Sequence, residues 1–497
     1  MPVQKANPPK GSTADSVARP TSELTVDLCV IGGGSGGLSV AAAAASFGQK
    51  VVLIERHKMG GDCLNSGCVP SKALIAASKR AHAMRSSAAF GIAPVTPAVS
   101  WSGVNDHVKA VIAAIAPNDS VERFRGLGVH VIEATAKFRD ADSVEAGDTR
   151  IRARRFIIAT GSQPLVPPIP GLAETPYFTN ETLFDNREPI GHLIVIGGGP
   201  IGIEMAQAHL RLGAKVTVLE GAKALSKDDP EMTAILLKSL RVEGLVIREG
   251  AKVVAISGAA GNVAVKIEVK TDADTETQTV AGTHLLVAVG RKPNIATLGL
   301  DAAGIKYGRS GIEVGADLIT SNRKVFAIGD CIGGYQFTHV ANYHAGIVIR
   351  RALFRLPAKA DVGRIPWVTY TVPELANVGM TEAQAAERKI SVRVLRWPFQ
   401  ENDRAQAERE TEGHVKVITD KRGVILGASI VGSNAGELIQ LWSLAVAQKM
   451  KIKAMTDWIS PYPTLGEINK RAAYRFFSSA PGNPMVRRAI GFLAKFG

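Results

Sequence analysis

Residues 26–55 read VDLCVIGGGSGGLSVAAAAASFGQKVVLIE. Val26–Ile31 is an apolar, strand-like run. It leads into the glycine turn Gly32-Gly33-Gly34-Ser35-Gly36-Gly37, a small-residue helix over Leu38–Phe47, and a second strand over Lys50–Ile54 that ends at Glu55. This strand–turn–helix–strand–acid order is the pattern of a dinucleotide site. Gly32 makes the tight turn, Gly34 lets the backbone approach a pyrophosphate, and Gly37 lets the helix close onto the strand. The helix start offers free N–H groups to the phosphates, and Glu55 is placed for a ribose diol.

The unit recurs. His192–Ile196 is a strand, Gly197-Gly198-Gly199-Pro200-Ile201-Gly202 is the turn, and Lys215–Leu219 leads to Glu220. Gly197, Gly199 and Gly202 repeat the three glycine roles. First glycine and acid are separated alike, 32 to 55 and 197 to 220. One such turn is weak evidence, but two in the same context are strong. Two dinucleotide sites in one chain suggest electron transfer between two cofactors.

Just downstream of the first unit stands Gly60-Gly61-Asp62-Cys63-Leu64-Asn65-Ser66-Gly67-Cys68-Val69-Pro70-Ser71-Lys72. Cysteines five apart point in different directions on a regular helix. Bridging them needs a local distortion of the kind Gly67 and Pro70 permit. The pair suits a dithiol–disulfide couple; the alternatives are a buried thiol pair or half of a zinc site. Zinc would need further ligands at similar spacing. Cys29, inside the first strand, and Cys331 are the only other cysteines, so no metal site is expected.

With these motifs in this order, the chain resembles the class I pyridine nucleotide–disulfide oxidoreductases from about Leu24 to Phe477. These are the flavoenzymes that include dihydrolipoamide dehydrogenase, glutathione reductase and mercuric reductase. Ala159-Thr160-Gly161, Val289-Gly290-Arg291-Lys292-Pro293-Asn294 and Val325-Phe326-Ala327-Ile328-Gly329-Asp330 carry the resemblance further. It implies an α/β fold: an FAD domain, an NAD domain and an α+β dimerisation domain. It also implies cofactor contacts at Thr160, Gly161, Arg291 and Asp330. Cys68 would lie against the flavin as a thiolate and Cys63 would meet the acceptor. Lys72 would sit near the flavin, paired with Glu204. Glu220 favours NADH over NADPH, because a carboxylate accepts a 2′-hydroxyl and repels a 2′-phosphate; Lys223 nearby pulls the other way.

The sequence departs from disulfide-reducing members near residue 462. They carry His-Pro-Thr-x-x-Glu, and here the segment is Pro461-Tyr462-Pro463-Thr464-Leu465-Gly466-Glu467. Glu467 is kept, but a phenol titrating near pH 10 is a poor base at neutral pH. Mercuric reductases resemble this chain here, although it lacks their C-terminal vicinal cysteines. The first expectation is therefore reduction of Hg(II) or a similar thiophilic acceptor. A dihydrolipoamide dehydrogenase that uses other residues, His339 or His344 among them, is the alternative. A slow flavoprotein with a binding or sensing role is the third.

The 497 residues allow about three domains. The expected division is a disordered leader over 1–22, an FAD domain over 23–163 and 283–360, and an NAD domain over 164–282 entered through the proline-rich 164–170. A dimerisation domain over 361–480 and a basic tail over 481–497 complete it. The net charge of +14 is dispersed, which argues for a solvated basic surface and against nucleic acid. No apolar run is long enough for a spanning helix. Few cysteines and no signal-like apolar segment point to a reducing, cytoplasmic setting. A homodimer is expected, with the tail helix packed on it in preference to contact with a membrane surface.

Overall fold

The computed structural model describes residues 22–270 and 274–496. The leader lies outside the described residues except for Ser22, which opens the first strand. Three sheets organise the chain. The first holds Val129–Glu133, Val51–Glu55, Ser22–Ile31, Thr149–Ile158, Ser143–Ala146 and Ala136–Asp140 in that spatial order, and Val325–Ala327 joins it beside Thr149–Ile158. Its central strands run parallel. Leu28–Ile31 is buried throughout, as expected of a parallel strand covered on both faces.

Helix Ser35–Ser46 buries Gly36, Gly37, Leu38, Val40, Ala41 and Ala44. This run of small side chains lets it lie close between the sheet and helix Thr338–Ala352. A Cβ on Gly37 would overlap the Gly32 carbonyl oxygen, and one on Gly202 would overlap that of Gly197. The third glycine of each turn therefore has the same steric cause.

The second sheet has the parallel order Val246–Glu249, Lys215–Glu220, His192–Ile196, His284–Val287, with an antiparallel three-stranded layer over 251–282 beside it. The boundary expected at 282 is thus one strand short: His284–Val287 pairs with His192–Ile196 inside this sheet. Its apolar run, buried from Leu285, needs the neighbour that only that sheet supplies. Ser162–Pro164 and Arg291–Pro293 pair antiparallel, so the chain crosses into and out of the second fold through one two-stranded link.

The third sheet is antiparallel, in the order Pro366–Thr369, Glu374–Gly379, Ile425–Gly432, His414–Asp420, Val392–Pro398. Helix Ala435–Ala447 covers it through the buried Trp442, whose indole N–H donates to Asn469 Oδ1 at 2.7 Å. Buried Lys416 joins this sheet to the second fold, with its ammonium 2.8 Å from Asp229 and 2.9 Å from Glu231. The last helix, Pro484–Leu493, buries none of its residues. Among the described residues no helix is long and apolar enough to cross a membrane.

Candidate active site

One cavity of about 2140 Å³ runs between the three folds and takes in both glycine turns and the cysteine pair. The two turns match in detail. The Gly33 N–H donates to Glu55 Oε2 at 2.6 Å and the His57 N–H to Oε1 at 2.8 Å. In the second unit the Gly198 N–H donates to Glu220 Oε2 at 2.7 Å and the Ala222 N–H to Oε1 at 2.8 Å. Each carboxylate is fixed by two backbone donors and keeps lone pairs for a ligand.

Helices Ser35–Ser46 and Pro200–Arg211 start at Gly34 and Gly199 with no side-chain cap. A Cβ on Gly199 would meet nothing within 4 Å and one on Gly34 only Gly61 Cα at 3.9 Å. Both helix starts thus leave open cradles in the cavity wall, which fit two dinucleotides. Thr160, Gly161 and Asp330 line the same cavity.

Cys63 and Cys68 stand on two successive helices. Gly61–Asn65 ends at Ser66, and Cys68–Arg85 begins after Gly67. The distortion expected from the five-residue spacing is this break. Gly67 is required there because a Cβ would press on the Asp62 side chain and carbonyl. Pro70 falls in the first turn of the second helix, where its missing N–H costs nothing.

Both thiols are free. The hydrogen bond from the Cys63 thiol is the main influence on Cys68; against the opposing effect of burial, it and the Thr338 hydroxyl, 3.3 Å away, and the Lys72 charge push Cys68 down to about 6. The same contact, with burial and the negative charge beside it, raises the Cys63 thiol. The two sulfurs are therefore unequal: one is an available thiolate near neutral pH and the other a held thiol.

Lys72 Nζ lies 2.8 Å from Glu204 Oε2 and 4.3 Å from the centre of the Tyr370 ring. Burial opposes its charge, but the adjacent carboxylate outweighs burial and holds its pKa up. The Tyr370 N–H donates to the other Glu204 oxygen at 2.9 Å. A cation is thereby anchored beside Cys68.

Arg291, nearly buried, donates to the Ser162 hydroxyl at 2.7 Å and carbonyl at 3.0 Å, and lies 3.3 Å from Asp62 and 3.7 Å from Asp330. Asn180 Nδ2 donates to Asp62 at 3.0 Å and to the Ser66 carbonyl at 3.1 Å. Arg291 thus faces the cavity as a clamp between the crossing strands and the cysteine loop. The Ser162 hydroxyl donates to Asp330 Oδ2 at 2.6 Å; burial raises the Asp330 carboxyl, while that bond and Arg291 act against the rise.

Thr338, Tyr370, Asp62, Asn180 and Ser162 escaped the sequence reading. Asp62 stood inside the quoted cysteine segment and Thr338 next to His339, so adjacency was the only signal; Tyr370 and Asn180 gave none.

Tyr462 and Glu467 do not line this cavity. Tyr462 is 70% exposed and its hydroxyl donates to Asp403 at 2.9 Å. That hydrogen bond and the carboxylate's charge raise its pKa further. Glu467 opens helix Glu467–Tyr474. The structure therefore gathers Cys63, Cys68, Lys72 and Glu204 and leaves Tyr462, exposed, and Glu467, half-buried, outside that cluster in the same chain. Burial lowers the pKa of His339, and a ring N–H that donates to the Pro366 carbonyl at 2.7 Å acts against that lowering. Burial also lowers His344, whose Nδ1 accepts from the Gly329 N–H at 3.3 Å.

The pyridine nucleotide-disulphide oxidoreductase family model matches residues 26–345, and that family's dimerisation domain matches 365–473. The chain is 35% identical to a mercuric reductase of Lysinibacillus sphaericus over 460 residues, 92% of this chain and 83% of that one. It is 37% identical to a dihydrolipoyl dehydrogenase of Geobacillus stearothermophilus over 465 residues, 90% of this chain and 96% of that one. Among solved structures, LpdA from Mycobacterium tuberculosis superposes with a TM-score of 0.82 at 26% identity, covering 90% and 99% of the two chains. The Cu(II) complex of the HOCl-induced flavoprotein disulfide reductase RclA from Escherichia coli gives 0.80 at 28% identity, with the same coverage.

Proposed function

The chain belongs to the pyridine nucleotide–disulphide oxidoreductases, FAD- and NAD(P)H-dependent enzymes, and from that premise we propose an NADH-dependent reductase of a small thiophilic acceptor such as Hg(II). FAD, when bound, would supply the acceptor for the NADH hydride and the two-electron chemistry that follows. The chain's own groups hold it: Gly32, Gly34 and Glu55 with Thr160, Gly161 and Asp330, while Gly197, Gly199 and Glu220 hold NADH. Two electrons from NADH open the Cys63–Cys68 disulfide to a thiolate and a thiol. The same two electrons then pass to the acceptor as the Cys63 thiol loses its proton to solvent and the disulfide re-forms, which takes Hg(II) to Hg(0). Lys72, anchored by Glu204, keeps a positive charge beside the Cys68 thiolate.

The observation that carries the choice of acceptor is Tyr462. Its hydroxyl is bonded to Asp403 and its pKa is raised, so it provides no base near neutral pH. Reducing an organic disulfide needs a proton shuttle worth roughly 10²–10⁴-fold. Handing electrons to a soft metal ion held by soft thiolates does not. The relatives named mercuric reductase and the neighbour solved with Cu(II) support this reading. We place the enzyme as a cytoplasmic homodimer, in which Tyr462 and Glu467 meet the acceptor site only across the subunit contact. Dihydrolipoamide dehydrogenase is the second reading, favoured by the 37% identity over almost the whole of that relative.

Steady-state NADH oxidation against Hg(II), Cu(II), lipoamide and glutathione disulfide decides between them. Efficient lipoamide turnover with no response to Hg(II) or Cu(II) would replace the first reading by the second.

A further inference from the structure

After Glu467 the chain carries six basic residues and no acidic one. Within that stretch Pro484–Leu493 forms a helix whose start is fixed by the Asn483 side chain, which accepts from the Met485 N–H, and by the Arg487 Nε–H, which donates to the Pro481 carbonyl at 2.6 Å. At 3.6 residues per turn, Met485, Val486, Ala489, Ile490, Phe492 and Leu493 share one arc of about 160°. Arg487 and Arg488 lie on the opposite side, and so does Lys495 when the turn is continued. The turn after the helix adds Phe496, packed edge-on against Phe492 with ring centres 5.1 Å apart. Met485, Ile490, Phe492, Leu493 and Phe496 are 59–78% exposed.

An apolar arc this complete, facing away from its own chain, needs a partner. Charge decides which. A second copy of this chain could cover the arc, but with a net charge of +14 it offers the flanking cations no net anionic surface. A nucleic acid would satisfy the cations and leave the apolar arc in water. An anionic bilayer satisfies both: the apolar arc enters the boundary between headgroups and acyl chains, and the flanking cations meet the headgroups. We propose, against the expectation that this helix packs on the dimer, that Pro484–Leu493 is an interfacial helix that docks the enzyme on anionic lipid. The docking does not involve the redox cavity.

The test is co-flotation of the FAD-loaded protein with vesicles of phosphatidylcholine alone and of phosphatidylcholine mixed with phosphatidylserine, at low and high salt. Sedimentation velocity and NADH oxidation of the same samples run beside it. Wild type is expected to float with the mixed vesicles, to lose most of that binding at high salt, and to ignore phosphatidylcholine alone. Removing one cation near an anionic surface weakens binding about fivefold, so the double variant R488Q/K495Q should bind about 25-fold more weakly. The double variant F492S/L493S should not float at all, with turnover in solution unchanged. Absence of wild-type flotation overturns the proposal, as does equal binding to both vesicle types. So does a shift of F492S/L493S to a smaller sedimenting species with vesicle binding intact, because the helix would then belong to the subunit contact.

Discussion

Removing the hydroxyl of Thr338 isolates how the site makes its thiolate. Thr338 opens helix Thr338–Ala352 and its Oγ1 lies 3.3 Å from Cys68 Sγ. Cys68 is pushed down to about 6, most by the Cys63 thiol, then by Thr338 and Lys72, with burial opposing. A hydrogen bond to a charged group contributes about 1.5–3 kcal/mol, which corresponds to about one to two pH units. Thr338 ranks behind the Cys63 thiol among the groups that lower Cys68, so the lower figure applies, and Thr338→Val should move the midpoint up by about one unit. The sign follows from the thiolate being the stabilised form. Above pH 9 both proteins are fully ionised and alike, and the difference opens as pH falls toward 6. At pH 6 the thiolate fraction should drop from about one half to about one tenth. The assay is the rate of iodoacetamide alkylation of the dithiol form between pH 5 and 10, with peptide mapping to separate Cys68 from Cys63. Thr338→Ser keeps a hydroxyl and should restore the midpoint. An unchanged midpoint in Thr338→Val, or an equal rise in both variants, would refute the assignment of the low pKa to this contact.

Other expectations concern different parts of the molecule. Gly37→Ala should abolish FAD binding, while Gly202→Ala should leave FAD bound and destroy NADH oxidation, read by flavin absorbance and turnover, because each Cβ overlaps the turn of its own unit only. Lys416→Met leaves the buried Asp229 without its ammonium 2.8 Å away and should lower stability by about 3–5 kcal/mol in denaturant unfolding. The wild type should show higher kcat/KM for NADH than for NADPH, and a clear preference for NADPH would mean that Lys223 dominates Glu220. Tyr462→His should raise disulfide turnover, most above the imidazole midpoint near pH 6.5, because a neutral imidazole accepts the proton a phenol cannot; no change in the pH–rate profile would remove Tyr462 from the argument.

Local sequence by itself determined the two dinucleotide units. Steric and hydrogen-bonding requirements within some 30 residues specify a tight turn, a close helix and a terminal acid, and the residues that meet them are consecutive. The break between the cysteine helices was legible for the same reason: bridging cysteines five apart needs a distortion of the helix, and Gly67 permits one. What surrounds the thiols was out of reach of local spacing. Lys72 and Glu204, whose pairing only the family resemblance implied, are 132 positions apart and meet at 2.8 Å; Thr338, which escaped the sequence reading, reaches Cys68 from 270 positions away. Tyr370 and Arg291 also close on the site from distant segments. Contacts of that range are set by how sheets and crossing strands pack, and no periodicity or spacing records them. The same holds for the domain boundary, where His284–Val287 reads as a generic buried strand and only its neighbour assigns it to the second sheet. The inequality of the two thiols arises there as well: their residue type is identical, and the charges and donors gathered around each make one an acid near pH 6 and keep the other protonated.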